Sequence, residues 1–335
     1  MSLSSSPPFK VATVPLISRR GNASQNVANV SAWLADAALY KISLVVFPEA
    51  SLVGYGDTLN LRRRDLVTLA EPLDGRSINE VANAVERTGV AAGVGFIECA
   101  KDGRLFNSYV ICMPGGVRCC HRKLHMVEHP GIERGEQCTV LDTAWGVRIG
   151  ILIGADNYLI ENVRMTALMG ATLLVAPHRT YGSDGYGDAA LQRLSPGQRA
   201  RPHAAHSVVA GESASAADWL RRSLIARASD NGMFVVFSNG SDMGSNQGGM
   251  IIDPLGLVLA EHGSSSSPMV SAEVNPSLIA GSVGQQCLTA RRSDGNGPFV
   301  HSMLSRDNAF SERSGTPSRG AIALSFAQVS RIRQT

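Results

Sequence analysis

Short apolar runs alternate along the chain with stretches whose apolar positions recur every three or four residues, and one segment carries both patterns back to back. Val147 to Ile153 is mostly apolar and β-branched, with the length of a buried strand. A polar corner follows, Gly154-Ala155-Asp156-Asn157. Beyond it Leu159, Ile160, Val163, Ala167 and Leu168 fall on one helical face, and Gly170 stands where a helix C-cap belongs. Thr172 to Ala176 reads as a second buried strand, closed by Pro177. Strand, corner, helix and strand make a βαβ unit, whose corner presents a residue at the carboxyl end of a sheet. Here that residue is Gly154, which has no side chain.

The same reading covers the rest of the chain. It predicts strands over Lys10 to Pro15, Ser43 to Phe47 and Val90 to Ile97, with a strand pair from Leu105 to Pro114 and Gly116 to His121. Helices are expected over Asn22 to Tyr40, Arg62 to Ala70 and Gly75 to Thr88. Tyr181 to Ser215 has little apolar periodicity and much Gly, Ser, Arg and His, as a long lid-like loop would. A helix over Trp219 to Asn231 precedes strands at Met233 to Ser238, within Gly248 to Ala260 about Pro254-Leu255-Gly256, and at Met269 to Val274. The polar, Gly-rich remainder from Ile279 reads as an arm or tail. Helices alternating with strands, interrupted twice by hairpins, imply an α/β sandwich with mixed sheets. Residues 1–278 are expected to form one domain and 279–335 an arm for subunit contacts.

Composition narrows the partners. A net charge of +3 over 335 residues, spread along the chain, argues against nucleic acid or an acidic membrane. Arg62-Arg63-Arg64 is the one compact basic run, and with Asp65 after it in a helical pattern it reads as a solvated face. The opening MSLSSSPPFK lacks an apolar leader core, and no apolar run approaches the ~20 residues of a membrane span. The six cysteines show no framework spacing, as expected for reduced thiols in a cytoplasmic protein.

Several chemistries can be set aside. The chain has no GxxxxGK[ST], no GxGxxG after a strand and no HExxH, and GESAS at 211–215 lacks the closing glycine of a serine elbow. Cys119, Cys120, His121, His125 and His129 would align for a metal only on a helix, and this stretch reads as strand then loop. No metal and no cofactor are expected. Glu49 directly follows a buried run, so its carboxylate sits at a strand's carboxyl edge, a setting suited to a general base or simply to capping the next turn. Lys123, at the end of the strand that closes on His121, either holds an oxyanion or lies on the surface.

Taken together, LVVFPEASLVGY (44–55), HRKLH (121–125) and GILIGADNYLIENVR (150–164) resemble, in order and spacing, the nitrilase or carbon-nitrogen hydrolase superfamily. WLRRSLIARASDNGMFVVFSN (219–239) and GGMIIDPLGLVLAE (248–261) extend the resemblance to about residues 8–275. It implies a four-layer α-β-β-α sandwich and a Glu-Lys-Cys triad that cleaves amide, carbamoyl or nitrile carbon–nitrogen bonds through an acyl-thioester. It places the base at Glu49, the lysine at Lys123 and the nucleophile at Gly154. A further glutamate that positions the lysine and the substrate nitrogen falls at Glu128, with Glu133 as runner-up. Tyr55, Ala155, Asn157, Tyr158, His178 and Arg179 are expected to face the pocket, with the Ala155 N–H in the oxyanion hole. The implied partner is a small amide or N-carbamoyl compound, in a homodimer or higher oligomer.

One departure matters most. The family pattern at the elbow is Ile-Cys-x-Asp, and this chain reads Ile153-Gly154-Ala155-Asp156. Glycine cannot form a thioester, and losing the nucleophile costs on the order of a millionfold in kcat in comparable hydrolases. The chain is therefore expected to be inactive as it stands. Two origins compete, a cysteine deliberately replaced to trap a substrate complex and a natural non-catalytic relative. The retained Glu49, Lys123 and lid favour the first. Nitrilases proper carry Cys-Trp-Glu at the elbow, which Ala155-Asp156 does not match, and that favours amides over nitriles.

Overall fold

The computed structural model describes residues 6–54, 61–125, 129–180, 216–241, 248–263 and 268–290. Tyr55, Glu128, the loop 181–215 and the tail from residue 291 lie outside the described residues. In chain order the strands are β1 (Phe9–Thr13), β2 (Ile42–Val46), β3 (Ala91–Cys99), β4 (Leu105–Cys112), β5 (Arg118–Arg122), β6 (Thr139–Asp142), β7 (Arg148–Ile151), β8 (Leu173–Thr180), β9 (Phe234–Ser241), β10 (Met250–Ile252), β11 (Val258–Glu261) and β12 (Val270–Val274). The helices are α1 (Ala23–Leu39), α2 (Arg63–Leu69), α3 (Arg76–Thr88), α4 (Ile160–Leu168), α5 (Ala216–Asn231), α6 (Ser277–Gly281) and α7 (Val283–Ala290).

The strands form two six-stranded sheets, ordered β12-β1-β2-β3-β4-β5 and β11-β10-β9-β8-β7-β6. Each is parallel at its centre, β1-β2-β3 in one and β7-β8-β9 in the other, and antiparallel outside it. Both sheets are therefore mixed. Two-residue alternation assigns the faces. Val11, Leu44, Val46, Leu173, Val175, Phe234 and Val236 pack into a core between the sheets. Their neighbours Ala12 and Val45 face outward onto Val27, Val30 and Leu34 of α1 and Ile78, Val81 and Val85 of α3. Leu174, Ala176 and Val235 likewise meet Val163 of α4 and Leu220 and Leu224 of α5. Helix, sheet, sheet and helix make the four-layer sandwich.

Most elements follow the periodicity closely, and the turn chemistry agrees. Asn22 caps α1 by accepting from the Gln25 N–H, and Gly170 follows α4 with φ of +92°, the left-handed conformation that favours glycine. Two differences have simple causes. β6 is only half-buried along its length, so no buried run marks it in the sequence. The polar stretch from Ile279 is helical as far as Ala290, with Ile279 and Gly284 buried; a Cβ on Gly284 would lie 2.1 Å from the Ser229 carbonyl oxygen. Small residues there allow close backbone contact, a signal that hydrophobic periodicity does not carry. No helix among the described residues is long and apolar enough to cross a membrane.

Candidate active site

Glu49 lies just beyond the carboxyl end of β2, in a turn pinned to the neighbouring strand. The Leu52 N–H donates to the Gly95 carbonyl at 2.9 Å, and the Gly95 N–H donates to Ser51 Oγ at 3.0 Å. Gly95 must be glycine for this approach, because a Cβ there would lie 2.2 Å from the Ala50 backbone nitrogen. Ala50 itself has φ of +51°, a conformation costly for a residue with a side chain and held here by the surrounding contacts. Behind the turn the Tyr109 hydroxyl donates to the Phe47 carbonyl at 2.8 Å, fixing the end of β2.

The Glu49 side chain is 1% exposed. Its Oε1 accepts from Lys123 Nζ at 2.7 Å and from Asn107 Nδ2 at 2.6 Å. Its Oε2 has no hydrogen-bond partner among the described residues. Lys123, also 1% exposed, follows β5 directly. Its backbone N–H donates to the Asn107 carbonyl at 2.8 Å, and its carbonyl accepts from the Gly135 N–H at 2.7 Å. Two opposite charges removed from water are costly singly and tolerable as a hydrogen-bonded pair.

The corner after β7 is a 3₁₀ turn over Gly154–Tyr158, buried throughout. Gly154 has φ of +50°, in the left-handed region, as befits a tight strand-to-helix elbow. A Cβ built on it would lie 2.6 Å from Glu49 Oε2 and 2.7 Å from Lys123 Nζ. Glu49, Lys123 and Gly154, distant in sequence, thus meet at one point. The carboxylate and ammonium reach into the space where a side chain at 154 would begin.

Asp156 ties the elbow to the lysine. Its buried carboxylate accepts from the backbone N–H groups of Leu124 at 3.1 Å, His125 at 2.8 Å and Ile153 at 3.1 Å, and His121 Nε2 stands 3.6 Å from it. Burial pushes this carboxyl up, but His121, the charge on Lys123 and the His125 N–H outweigh it and hold Asp156 below the usual carboxylate range. Asp156 is the aspartate of the elbow pattern in the sequence, though nothing there gave it this bracing role, and Asn107 was missed; its available signal was a polar pair, Asn107-Ser108, inside an otherwise apolar strand.

The remaining expected pocket residues divide. Asn157 turns its amide inward, donating to the carbonyls of Leu152 at 2.8 Å and Gly154 at 3.2 Å, so it braces the turn. Ala155 packs in the outer core with Tyr158. His178 lies between the rings of Tyr158 and Phe237, with centroids at 6.1 and 5.9 Å, and Trp219 meets Tyr158 at 5.6 Å. Burial, then the charge on Lys123, pushes His178 down to about 3, so it is neutral at neutral pH. Arg179 is buried, and strand alternation turns it to the opposite face of β8 from His178. Glu133 donates its backbone N–H to the Leu105 carbonyl at 2.7 Å.

The cysteines and histidines of 119–129 diverge. Cys119 packs towards the core between the sheets and Cys120 towards the opposite core. His121 Nδ1 is 2.9 Å from Thr139 Oγ1, and His129 Nε2 is 2.7 Å from the Leu61 carbonyl. Among the described residues no group of three or more His, Cys, Asp or Glu is placed to hold a metal.

A model of the carbon-nitrogen hydrolase family matches residues 10–282. An (R)-stereoselective amidase of Pseudomonas sp is 29% identical over 263 residues, spanning 76% of this chain and 81% of that protein. Among solved structures, Nit3 of Saccharomyces cerevisiae, a member of branch 10 of the nitrilase superfamily, superposes with a TM-score of 0.65 at 19% identity, covering 87% of this chain and 98% of Nit3. A cysteine-to-alanine mutant of an amidase from Nesterenkonia, of the same superfamily, gives 0.60 at 17% identity, covering 85% and 95%. The two structures are alike in fold, and the family match runs through both sheets and all three meeting points of the site. The chain belongs to the carbon-nitrogen hydrolase family.

Proposed function

We propose that the site is built to hydrolyse a small amide or N-carbamoyl compound through a Glu-Lys-Cys triad, with position 154 as the seat of the nucleophile. The observation that carries this reading is the convergence of Glu49 Oε2 and Lys123 Nζ on the position of a Cβ at 154. With cysteine there, Glu49 takes the thiol proton and the thiolate attacks the acyl carbon. Lys123 and the Ala155 N–H hold the oxyanion. Glu49 then returns the proton to the leaving nitrogen and activates the water that hydrolyses the thioester. With Gly154 the covalent route is closed, so the chain as it stands is inactive by that route. Similarity to an amidase supports amides over nitriles.

The test is Gly154→Cys against primary amides, N-carbamoyl amino acids and nitriles, with release of ammonia or amine as readout. Release from an amide or carbamoyl compound supports the reading; a folded variant silent on the whole panel overturns it. A second reading, a natural non-catalytic relative that keeps the fold to bind a ligand, has one observation behind it. The ion pair occupies space that a side chain at 154 needs, as in a site settled around glycine. Failure of the cysteine variant to turn over any of these substrates would favour it.

A further inference from the structure

The two oxygens of Glu49 are not equivalent. Oε1 is saturated, holding the Lys123 ammonium at 2.7 Å and the Asn107 amide at 2.6 Å. Oε2 belongs to a side chain 1% exposed, has no hydrogen-bond partner among the described residues and points at the bare corner. A buried carboxylate oxygen without a donor costs free energy that an incoming O–H or N–H recovers. Lys123 Nζ stands beside it, 2.7 Å from the same Cβ position. A general base and a cation able to hold an oxyanion therefore face the place where a thiol is missing.

We propose that the chain with Gly154 is itself a slow acyl hydrolase, in which Glu49 Oε2 drives water directly onto the acyl carbon. This rests on the amide-hydrolase reading of the same site but needs no cysteine. Water occupies the position a cysteine sulfur would take and donates one hydrogen to Oε2. As its oxygen bonds to the acyl carbon, that proton passes to Glu49, and the carbonyl electrons move to the oxygen held by Lys123. Collapse of the tetrahedral adduct breaks the bond to the leaving group, which departs with the electron pair and recovers the proton from Glu49. The products are a carboxylic acid and the free leaving group, and no bond to the protein forms. Without the thiolate the reaction suits acyl compounds with good leaving groups, aryl esters above all. Hydrolases stripped of their nucleophile retain about 10³-fold catalysis over water from binding and the oxyanion site, which sets the expected scale.

The experiment uses the chain as it is, with p-nitrophenyl acetate as the probe. Expected are nitrophenolate release about 10³-fold above buffer, a linear time course without a burst, a normal solvent deuterium isotope effect and no acetyl on Glu49 or Lys123 by peptide mass spectrometry. Glu49→Gln leaves the Lys123 ammonium without its counter-charge and should lower the melting temperature, and in the folded variant it should cut the rate by about 10²-fold or more. A rate that Glu49→Gln leaves unchanged, acetyl carried on Glu49 or Lys123, or no rate above buffer each overturns the proposal. If Glu49→Gln does not fold, the isotope effect and adduct measurements on the unaltered chain decide alone. Because Gly154→Cys on amides tests the thioester reading separately, an active cysteine variant beside a silent parent would sink this inference and leave that reading standing.

Discussion

Asn107 donates its side-chain amide to Glu49 Oε1 over 2.6 Å, and its backbone carbonyl accepts from the Lys123 N–H at 2.8 Å. One residue in the middle of a buried strand thereby fixes both charged members of the site. A hydrogen bond to a charged group contributes about 1.5–3 kcal/mol. Asn107→Leu in the Gly154→Cys background should therefore lower kcat by about 10- to 100-fold with little change in KM. A variant with unchanged kcat would remove Asn107 from the positioning of Glu49.

Gly154 has φ of +50°, and the ends of Glu49 and Lys123 crowd its Cβ position. Any side chain there carries the left-handed penalty of about 1–2 kcal/mol, beyond the shift it forces on the two flexible side chains. Gly154→Cys and Gly154→Ala should both unfold at lower denaturant concentration than the parent. Only the cysteine should hydrolyse amides. Equal stability of all three would mean the corner readjusts without strain.

Gly95 holds the Glu49 turn against β3 at a distance no Cβ tolerates. The atom it would meet is backbone, which cannot swing aside, so Gly95→Ala should cost about 1–3 kcal/mol by overpacking. It should also abolish activity in the Gly154→Cys background by moving Glu49 away from Lys123. Denaturant titration and amide turnover, measured together, check both halves.

His178 is pushed down to about 3 from an ordinary value of 6.5, by burial first and then by Lys123. Between those two values the unfolded chain takes up a proton that the folded chain refuses, so stability is whole above about pH 6.5 and declines as the pH falls towards 3. His178→Phe keeps the ring packing against Tyr158 and Phe237 and removes the titration. Melting temperatures followed from pH 7 to pH 4 should fall less steeply in that variant; parallel curves would contradict the assignment.

Burial pushes the Cys112 thiol up to about 11 and Cys120 up to about 12, whereas Cys287 is exposed. Reaction with a thiol reagent at pH 8 should label Cys287 quickly and leave Cys112 and Cys120 intact until the chain unfolds, because the thiolate is the reactive form. Peptide mapping of the labelled protein reads this out.

The sequence by itself determined the local conformations and their order. Val147 to Pro177 carries both periods and its turn residues, so strand, corner and helix were legible there, as were most of the other strands. The half-exposed β6 and the helical continuation past Ile279 were not, since neither produces a buried periodic run. Glu49, Lys123 and Gly154 could be named as separate strand-end positions and linked through family resemblance. That Glu49 and Lys123 touch, that Asn107 and Asp156 brace them, and that Oε2 is left facing a glycine were decided only by the tertiary structure. The physical reason is that periodicity encodes which face of an element is buried. The distances among residues 49, 107, 123 and 154 depend on how two sheets from different parts of the chain pack face to face.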